Sequence, residues 1–490
     1  MGKIKNLAGQ AVLYGLSNII PRVLNYLLVP LYTRIFDPHD FGIITELYAY
    51  VTFLIILLTL GLETGFFRFL EKENKNNVFV TATTILFFSA ILFCLLVFVF
   101  ASNIANALQY QNHIEYIKYF AIILSLDVMV AVPFARLRAE EKALKFAALK
   151  ILNVVFNICL NLFFFLLIPY LLKNGNKIFF ITLYNPDVGV GYVFIANIFS
   201  SLLMLLIMLP SIIKTQGLFD FRIAKNLLSY SLPLMIAGMA GNINEAMDRV
   251  LLKHLLPNKE IAMQQLGIYG ATLKIAILMV LFTQMFRYAF EPFFFKNASS
   301  NNSKQTLADI MKYFCIFILL IFMGVAMFID VVKYIIGEEF RSALHIVPIL
   351  LFSYVFYGLT INLSAWYKLT DKTHFGAYIT FFGAGLTIIL SILFIPLYSY
   401  VASAWIRLIC YGSMAIISYW LNQRYYKIPY DIKAITKYIL LALIVYVIAD
   451  YVKLQGMIKY LFNGSLIFFY LFIVESKEKI LHKLLNKKIN

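Results

Sequence analysis

The sequence predicts an all-α integral membrane protein of about fourteen transmembrane helices. Apolar runs long enough, or nearly long enough, to cross a bilayer follow one another from about Gln10 to Ile473 with only short polar breaks. The composition agrees: 62% of residues are hydrophobic and 14% charged, against about 25% charged in soluble domains, which excludes a soluble core of this size. The runs are also continuous, not alternating on a two-residue period, which argues against a barrel. Helices are the spanning option that remains.

A spanning helix needs roughly 20 mostly apolar residues to cross about 30 Å of hydrocarbon. Six runs meet or approach that length in the first half: Gln10–Arg34, Phe41–Phe67, Val78–Ala101, Ile114–Phe134, Phe146–Leu171 and Gly191–Ile213. A basic, polar stretch from Lys214 to Asn226 follows. The second set is Tyr230–Leu255, Gly267–Phe294, Leu307–Ile329, His345–Trp366, Ala377–Leu397, Val401–Asn422, Ile435–Asp450 and Gly456–Ile473. The expected organisation is therefore an N-terminal lobe over 1–213, a linker over 214–228, a C-terminal lobe over 229–422, and two further spans with a basic tail over 423–490. The two lobes share features. Each opens on a proline-containing span (Pro21 and Pro30; Pro233), reaches a proline-bearing turn (Pro38; Pro257) and re-enters at a Gly-Ile pair, Gly42-Ile43 and Gly267-Ile268. A repeat of six spans, an even number, implies parallel halves, as in some secondary transporters.

The formal charge is +17, and the distribution of Lys and Arg explains it. With the amino terminus in the cytoplasm, 24 of the 42 fall in cytoplasmic tails and loops and seven in the opposite loops and their borders. This is the positive-inside rule. It orients the chain with both termini cytoplasmic and removes the need for a nucleic-acid partner. Met1–Gln10 is short and the first span too long for a signal-peptide core, so that span is expected to stay. Cys94, Cys159, Cys315 and Cys410 all fall in predicted spans without CxxC spacing and read as buried packing residues. The six histidines show no HxxxH pattern, so no metal site is expected. Asp37 and Asp40 in FDPHDFG read as part of a turn, with Pro38 stopping one helix and Gly42 permitting the turn before the next.

Gln10–Leu70, reading QAVLYGLSNIIPRVLNYLLVPLYTRIFDPHDFGIITELYAYVTFLIILLTLGLETGFFRFL, resembles the opening of the polysaccharide flippase family, the Wzx-type transporters of lipid-linked oligosaccharides. Three further segments are similar: ARLRAEEKALKFA after the fourth span, SYSLPLMIAG with MDRVLLKHLL in the seventh, and IIGEEFRSALHIVPIL leading into the tenth. The resemblance implies the fold of the multidrug and oligosaccharidyl-lipid exporter superfamily, two six-helix lobes forming a V with two extra C-terminal helices. It implies a bacterial cytoplasmic (inner) membrane protein. Its function would be to flip undecaprenyl-diphosphate-linked oligosaccharide (an O-antigen of lipopolysaccharide, a capsule or an exopolysaccharide repeat unit) from the cytoplasmic to the outer face by alternating access. The implied partners are the lipid-linked glycan, the bilayer and other polysaccharide-assembly membrane proteins.

Charges inside spans mark a candidate pathway, because Lys, Arg or Asp at mid-membrane costs about 2.5–3.5 kcal/mol on insertion scales. Arg22 lies about halfway along the first span, and Asn18, Arg22 and Asn25 share one helical face. The functional reading is a cation that meets the diphosphate with the fork geometry of arginine; the structural reading is an internal ion pair with Asp127. Arg68 and Arg287 lie near the cytoplasmic ends of the second and eighth spans, while Lys274 and Arg407 lie roughly 10 Å inside outer ends, where their stems can snorkel outward. Related flippases of lipid-linked peptidoglycan use cavity arginines on early and eighth helices, which brings Arg22, Arg68 and Lys274 forward, although lysine at 274 departs from that pattern. Glu245, Asp248 and Asp127, with Glu63 behind them, are the candidates for a proton or sodium coupling site; Glu245 and Arg249 have the i, i+4 order of a local pair. Tyr354, Tyr357 and Trp366 offer sugar-stacking rings, or an interfacial belt. No catalytic residue or cofactor is expected. A multidrug exporter of the same fold would carry an acidic, aromatic cavity for organic cations, and a glycosyltransferase or polymerase would need a sizeable outer loop, which the sequence lacks.

Overall fold

The computed structural model describes residues 19–174, 184–296 and 302–479. Every regular element among them is helical. The chain forms two compact units, Met1–Gly270 and Ala271–Asn490.

In the first unit, helix α1 (Leu28–Ile35) leads to α2 (Pro38–Thr59) and α3 (Leu62–Phe69). Asp37 accepts the backbone N–H of Asp40 at 2.8 Å, so it is the N-cap of α2 and Pro38 is its first helical residue. The preceding helix ends at Ile35, as expected of a stop at Pro38, and the same proline opens the next helix. A proline in the first turn loses no intrahelical hydrogen bond and its fixed φ suits the helix. Between α2 and α3 the chain bends at Leu60 and Gly61, both left-handed at φ 52° and 66°. Then follow α4 (Lys75–Val99), α5 (Ala101–Leu108), α6 (Ile114–Ala139), α7 (Ala143–Leu162), α8 (Gly191–Ile213), α9 (Phe221–Leu255) and α10 (Lys259–Ile275), the last crossing into the second unit. Helix α6 packs against α4 and α8, and α9 against α2. Its core joins Leu62, Phe66, Phe79, Leu86, Leu124 and Val128, all almost wholly buried.

Gly42 does not sit in a turn either. It lies inside α2, where a Cβ would meet the Met263 carbonyl oxygen at 2.3 Å; at Gly267 a Cβ would come within 1.8 Å of the Pro38 carbonyl oxygen. Gly270 likewise leaves room for Thr45, whose Oγ1 would be 2.4 Å from a Cβ there. The residues absent from these glycines let the α2 and α10 backbones cross in contact, as small residues do between membrane helices.

The second unit contains α11 (Ile277–Lys296), α12 (Ser303–Met327), α13 (Val347–Leu363), α14 (His374–Tyr425), α15 (Ile432–Tyr451) and α16 (Gly456–Glu478). The 52 residues of α14 are two helices joined at Ser399, whose φ of 52° and ψ of −136° break the helical path. The two arms run back along each other: the Cys410 thiol donates to the Gly383 carbonyl at 3.4 Å and receives the Thr387 hydroxyl at 3.3 Å. Helix α13 packs on α14, and α15 on α12.

Among the described residues, ten helices are long and apolar enough to cross a membrane, or eleven if the pair Lys259–Ile275 and Ile277–Tyr288, bent by 46°, is one span. The expected count of fourteen differs for physical reasons. Part of Gln10–Arg34 lies outside the described residues. Tyr230–Leu255 lies in α9, where Ser, Tyr and Asn residues as well as Glu245, Asp248, Arg249 and Lys253 make the helix more polar than the ten. Ala377–Leu397 and Val401–Asn422 are the two arms of α14. The cysteine expectation needs correction too: Cys315 and Cys410 are buried, but Cys94 is only partly so and Cys159 is exposed. Outward apolar faces are ordinary for a bundle solvated by lipid. Phe88 and Val99 of α4 are 68% and 74% exposed.

Candidate functional site

The first unit holds two polar networks within its apolar spans. The first is built on α6, α7 and α8. Asp127 accepts a hydrogen bond from the Ser201 hydroxyl at 2.7 Å. Tyr48, set by edge contacts to Phe120, accepts from the Asn197 amide at 2.6 Å. Lys150 of α7 faces the same region, its Nζ 4.3 Å from the centre of the Phe134 ring. Towards the turn between α6 and α7, Arg138 donates to Glu63 at 2.6 Å and Arg136 to Glu140 and the Thr215 hydroxyl, both at 2.6 Å. Glu140 lies just beyond the span. Burial alone pushes its carboxyl up, but hydrogen bonds from Lys142 and Arg136 outweigh that and hold it below the usual carboxylate range.

The second network lies where α2, α9 and the α5–α6 connection meet. Lys253, 3% exposed, donates to the wholly buried Glu46 carboxylate at 2.7 Å and to the Leu108 carbonyl at 2.6 Å. Its Nζ also lies 4.2 Å from the centre of the Tyr110 ring, and the Tyr110 hydroxyl donates to the same Glu46 oxygen. One helical turn along, the Tyr50 hydroxyl and His254 Nε2 share a hydrogen bond at 2.9 Å. Asp248 receives the Tyr269 hydroxyl at 2.6 Å. Sequence reasoning missed Glu46 and Lys253. The available signal was two opposite charges placed inside predicted spans; their pairing across 207 residues is invisible without the fold.

Arg22 and Asn25 are both exposed on the first described helical residues, whereas Asn18 lies outside the described residues. Among the described residues Arg22 forms no ion pair, so the pair weighed with Asp127 is not made; Asp127 is held by Ser201 instead. Glu63 is taken by Arg138, and Arg68 lies over the Tyr230 ring at 4.1 Å. In α9, Glu245 is exposed and Asp248 buried. Arg249 reaches the backbone carbonyl of Glu245 at 3.0 Å, and its Nε is 3.9 Å from Asp248. The expected side-chain pair with Glu245 is thus replaced by these contacts. In the second unit Lys274 and Arg287 are partly buried, Arg287 lying 5.4 Å from the centre of the Tyr288 ring. Arg407 is only 4% exposed and donates to the Tyr354 hydroxyl at 3.4 Å. It turns inward instead of snorkelling, because Tyr354 offers a polarisable ring and a hydroxyl within reach. Trp366 is wholly buried between Phe375 and Tyr425 and so forms no interfacial belt. Asp37, His39 and Asp40 bring potential ligand atoms within 4.8 Å of one another, but the Asp37 carboxylate already caps α2.

Comparison with solved structures gives the same architecture. The chain is similar to a structure described as lipid II flippase MurJ in an inward closed conformation, with a TM-score of 0.73, 14% identity, and 95% of this chain and 99% of that one covered. It is also similar to a multidrug resistance MATE family transporter of the MOP superfamily, inward-facing, with a TM-score of 0.65, 15% identity, and 84% and 95% covered. The outward-facing form of such a transporter gives 0.57, 14% identity, and 89% and 96% covered. Identities this low speak to fold alone. None of the curated proteins matches the sequence. Residues 7–278 match the family described as polysaccharide biosynthesis protein, a stretch that includes the whole first unit from Leu7 onward and both of its polar networks. The chain therefore belongs to the polysaccharide biosynthesis protein family, with the membrane fold of flippases and transporters.

Proposed function

We propose that this protein flips polyprenyl-diphosphate-linked oligosaccharide from the cytoplasmic to the outer face of a bacterial cytoplasmic membrane by alternating access, with both termini cytoplasmic. The observation that carries the reading is Arg22, exposed on its helix and in no ion pair among the described residues, in a chain of this family. A mid-span guanidinium without a protein counter-charge is costly. An anionic cargo offsets that cost, and a diphosphate suits the arginine fork. Asn25 lies on the same face, and Asn18 completes it in sequence. Arg68, Lys274, Arg287 and Arg407 are the further cations proposed to meet the cargo. For the coupling ion, a proton or sodium, Asp127 and Asp248 are the stronger candidates because both accept hydrogen bonds from hydroxyl donors within the helical bundle. Glu245 and Glu63 follow.

The likeness to MATE transporters and the partly buried carboxylate at Asp127 favour one rival, export of organic cations. Proteoliposomes holding both cargoes separate the two. The flippase reading expects fluorescent undecaprenyl-diphosphate oligosaccharide to become accessible on the far leaflet, with no efflux of an organic cation. Efflux without lipid movement would overturn it.

A further inference from the structure

The first unit treats its buried lysines unequally. Lys253 is neutralised by Glu46 and hydrogen-bonded to Leu108. Lys150 is partly buried on the span Ala143–Lys173, two turns from its start, and its Nζ lies 4.3 Å from the centre of the Phe134 ring and 6.0 Å from that of Phe146. No described residue accepts a hydrogen bond from it. The carboxylate that attracts it most is Asp127, and that group is engaged by Ser201. Glu63 also attracts it, yet Glu63 is occupied by Arg138.

Arg138 matters for a second reason. Its guanidinium lies 5.9 Å from the centre of the Phe146 ring, so the two cations, which repel each other, share that ring as a neighbour. An ammonium held away from water without a hydrogen-bond acceptor is unfavourable, and ring contacts offset only part of that cost. Such an arrangement becomes favourable when an anion with several oxygens joins it. Lysine supplies a compact point charge for phosphate and arginine a planar fork, which together match two linked phosphoryl groups.

We propose that Lys150, with Arg138 beside the same Phe146 ring, is a diphosphate-binding subsite within the first unit. It rests on the flippase reading and extends it, naming a cargo contact in addition to Arg22. The side chain is a cargo contact and not a structural cation, so its removal separates binding from stability.

The test uses the full chain in nanodiscs with two probes, undecaprenyl diphosphate and the uncharged undecaprenol. Lys150→Met is expected to weaken diphosphate binding by about tenfold or more, equivalent to about 1.4 kcal/mol, leave undecaprenol binding unchanged, and melt at the wild-type temperature or above. Lys150→Arg is expected to keep diphosphate binding within about threefold. Unchanged diphosphate affinity in Lys150→Met would overturn the subsite alone. Equal loss of both probes with a lowered melting temperature would also overturn it, by showing a structural role. A wild-type protein that does not prefer the diphosphate over undecaprenol would overturn both this subsite and the flippase reading.

Discussion

Replacing Glu46 by glutamine keeps the side chain's shape and removes its charge. The change leaves the Lys253 ammonium, 3% exposed, with the Leu108 carbonyl and the Tyr110 ring as its remaining neighbours. At 2.7 Å between Nζ and the carboxylate oxygen, the direct attraction is roughly 6 kcal/mol at an effective dielectric of about 20. Relaxation and water entry reduce the loss, and breaking a buried pair by removing one partner costs about 3–5 kcal/mol. Tyr110 adds to it, because its hydroxyl then donates to a neutral amide in place of a carboxylate. The double variant Glu46→Gln/Lys253→Met removes both charges, and since both desolvation costs vanish together, its destabilisation is expected to fall well below the sum of the single ones. Equilibrium unfolding in mixed micelles of wild type, both single variants and the double variant closes the cycle. A coupling of about 2 kcal/mol or more is expected. A Glu46→Gln protein within about 1 kcal/mol of wild type, or additive single effects, would refute the account of this pair as what binds α2, α9 and the α5–α6 connection.

Three further outcomes follow from the same structure. Gly267→Ala puts a methyl 1.8 Å from the Pro38 carbonyl oxygen, a backbone atom that cannot swing away, so a loss of about 1–3 kcal/mol or more is expected from overpacking; wild-type stability in the same unfolding assay would show that α2 and α10 do not cross there. Glu140 has a folded-state carboxyl below its ordinary value, so its contribution is present above that ordinary value and is lost as pH falls through the lower folded one. Being a partly exposed pair, it is worth about 0–1 kcal/mol, and acid unfolding of Glu140→Gln should show a correspondingly shallower pH dependence; an unchanged profile would contradict the Arg136–Glu140–Lys142 assignment. For topology, a reporter fused after Gln455 is expected outside and one after Asn302 in the cytoplasm, and reversal of either would overturn the orientation read from the basic loops.

Fold class was legible because hydropathy and the lysine and arginine distribution are local properties of the chain. Interior partners were not. Charge alone placed Glu46 and Lys253 inside spans, but nothing local says that one meets the other. Gly42 and Gly267 were visible as matching Gly-Ile pairs, yet a glycine before an apolar run reads as a turn, and only the fold turns it into a helix crossing. Ser399 shows the reverse case: the break between two apolar runs was seen, although a serine in the left-handed region carries no sequence signature. Arg407 was placed correctly along its helix but not around it, since inward or outward orientation depends on Tyr354, 53 residues away. Arg22 and Asn25 are both exposed on their helix, while Asn18 lies outside the described residues.

The central claim, a flippase whose membrane cations receive a diphosphate, is tested most directly by translocation of fluorescent undecaprenyl-diphosphate oligosaccharide in proteoliposomes, wild type beside Arg22→Ala at equal reconstitution. The account expects translocation by the wild type and its loss, by about tenfold or more, in the variant. Equal translocation by both would contradict the role given to Arg22, and none by the wild type would contradict the function itself.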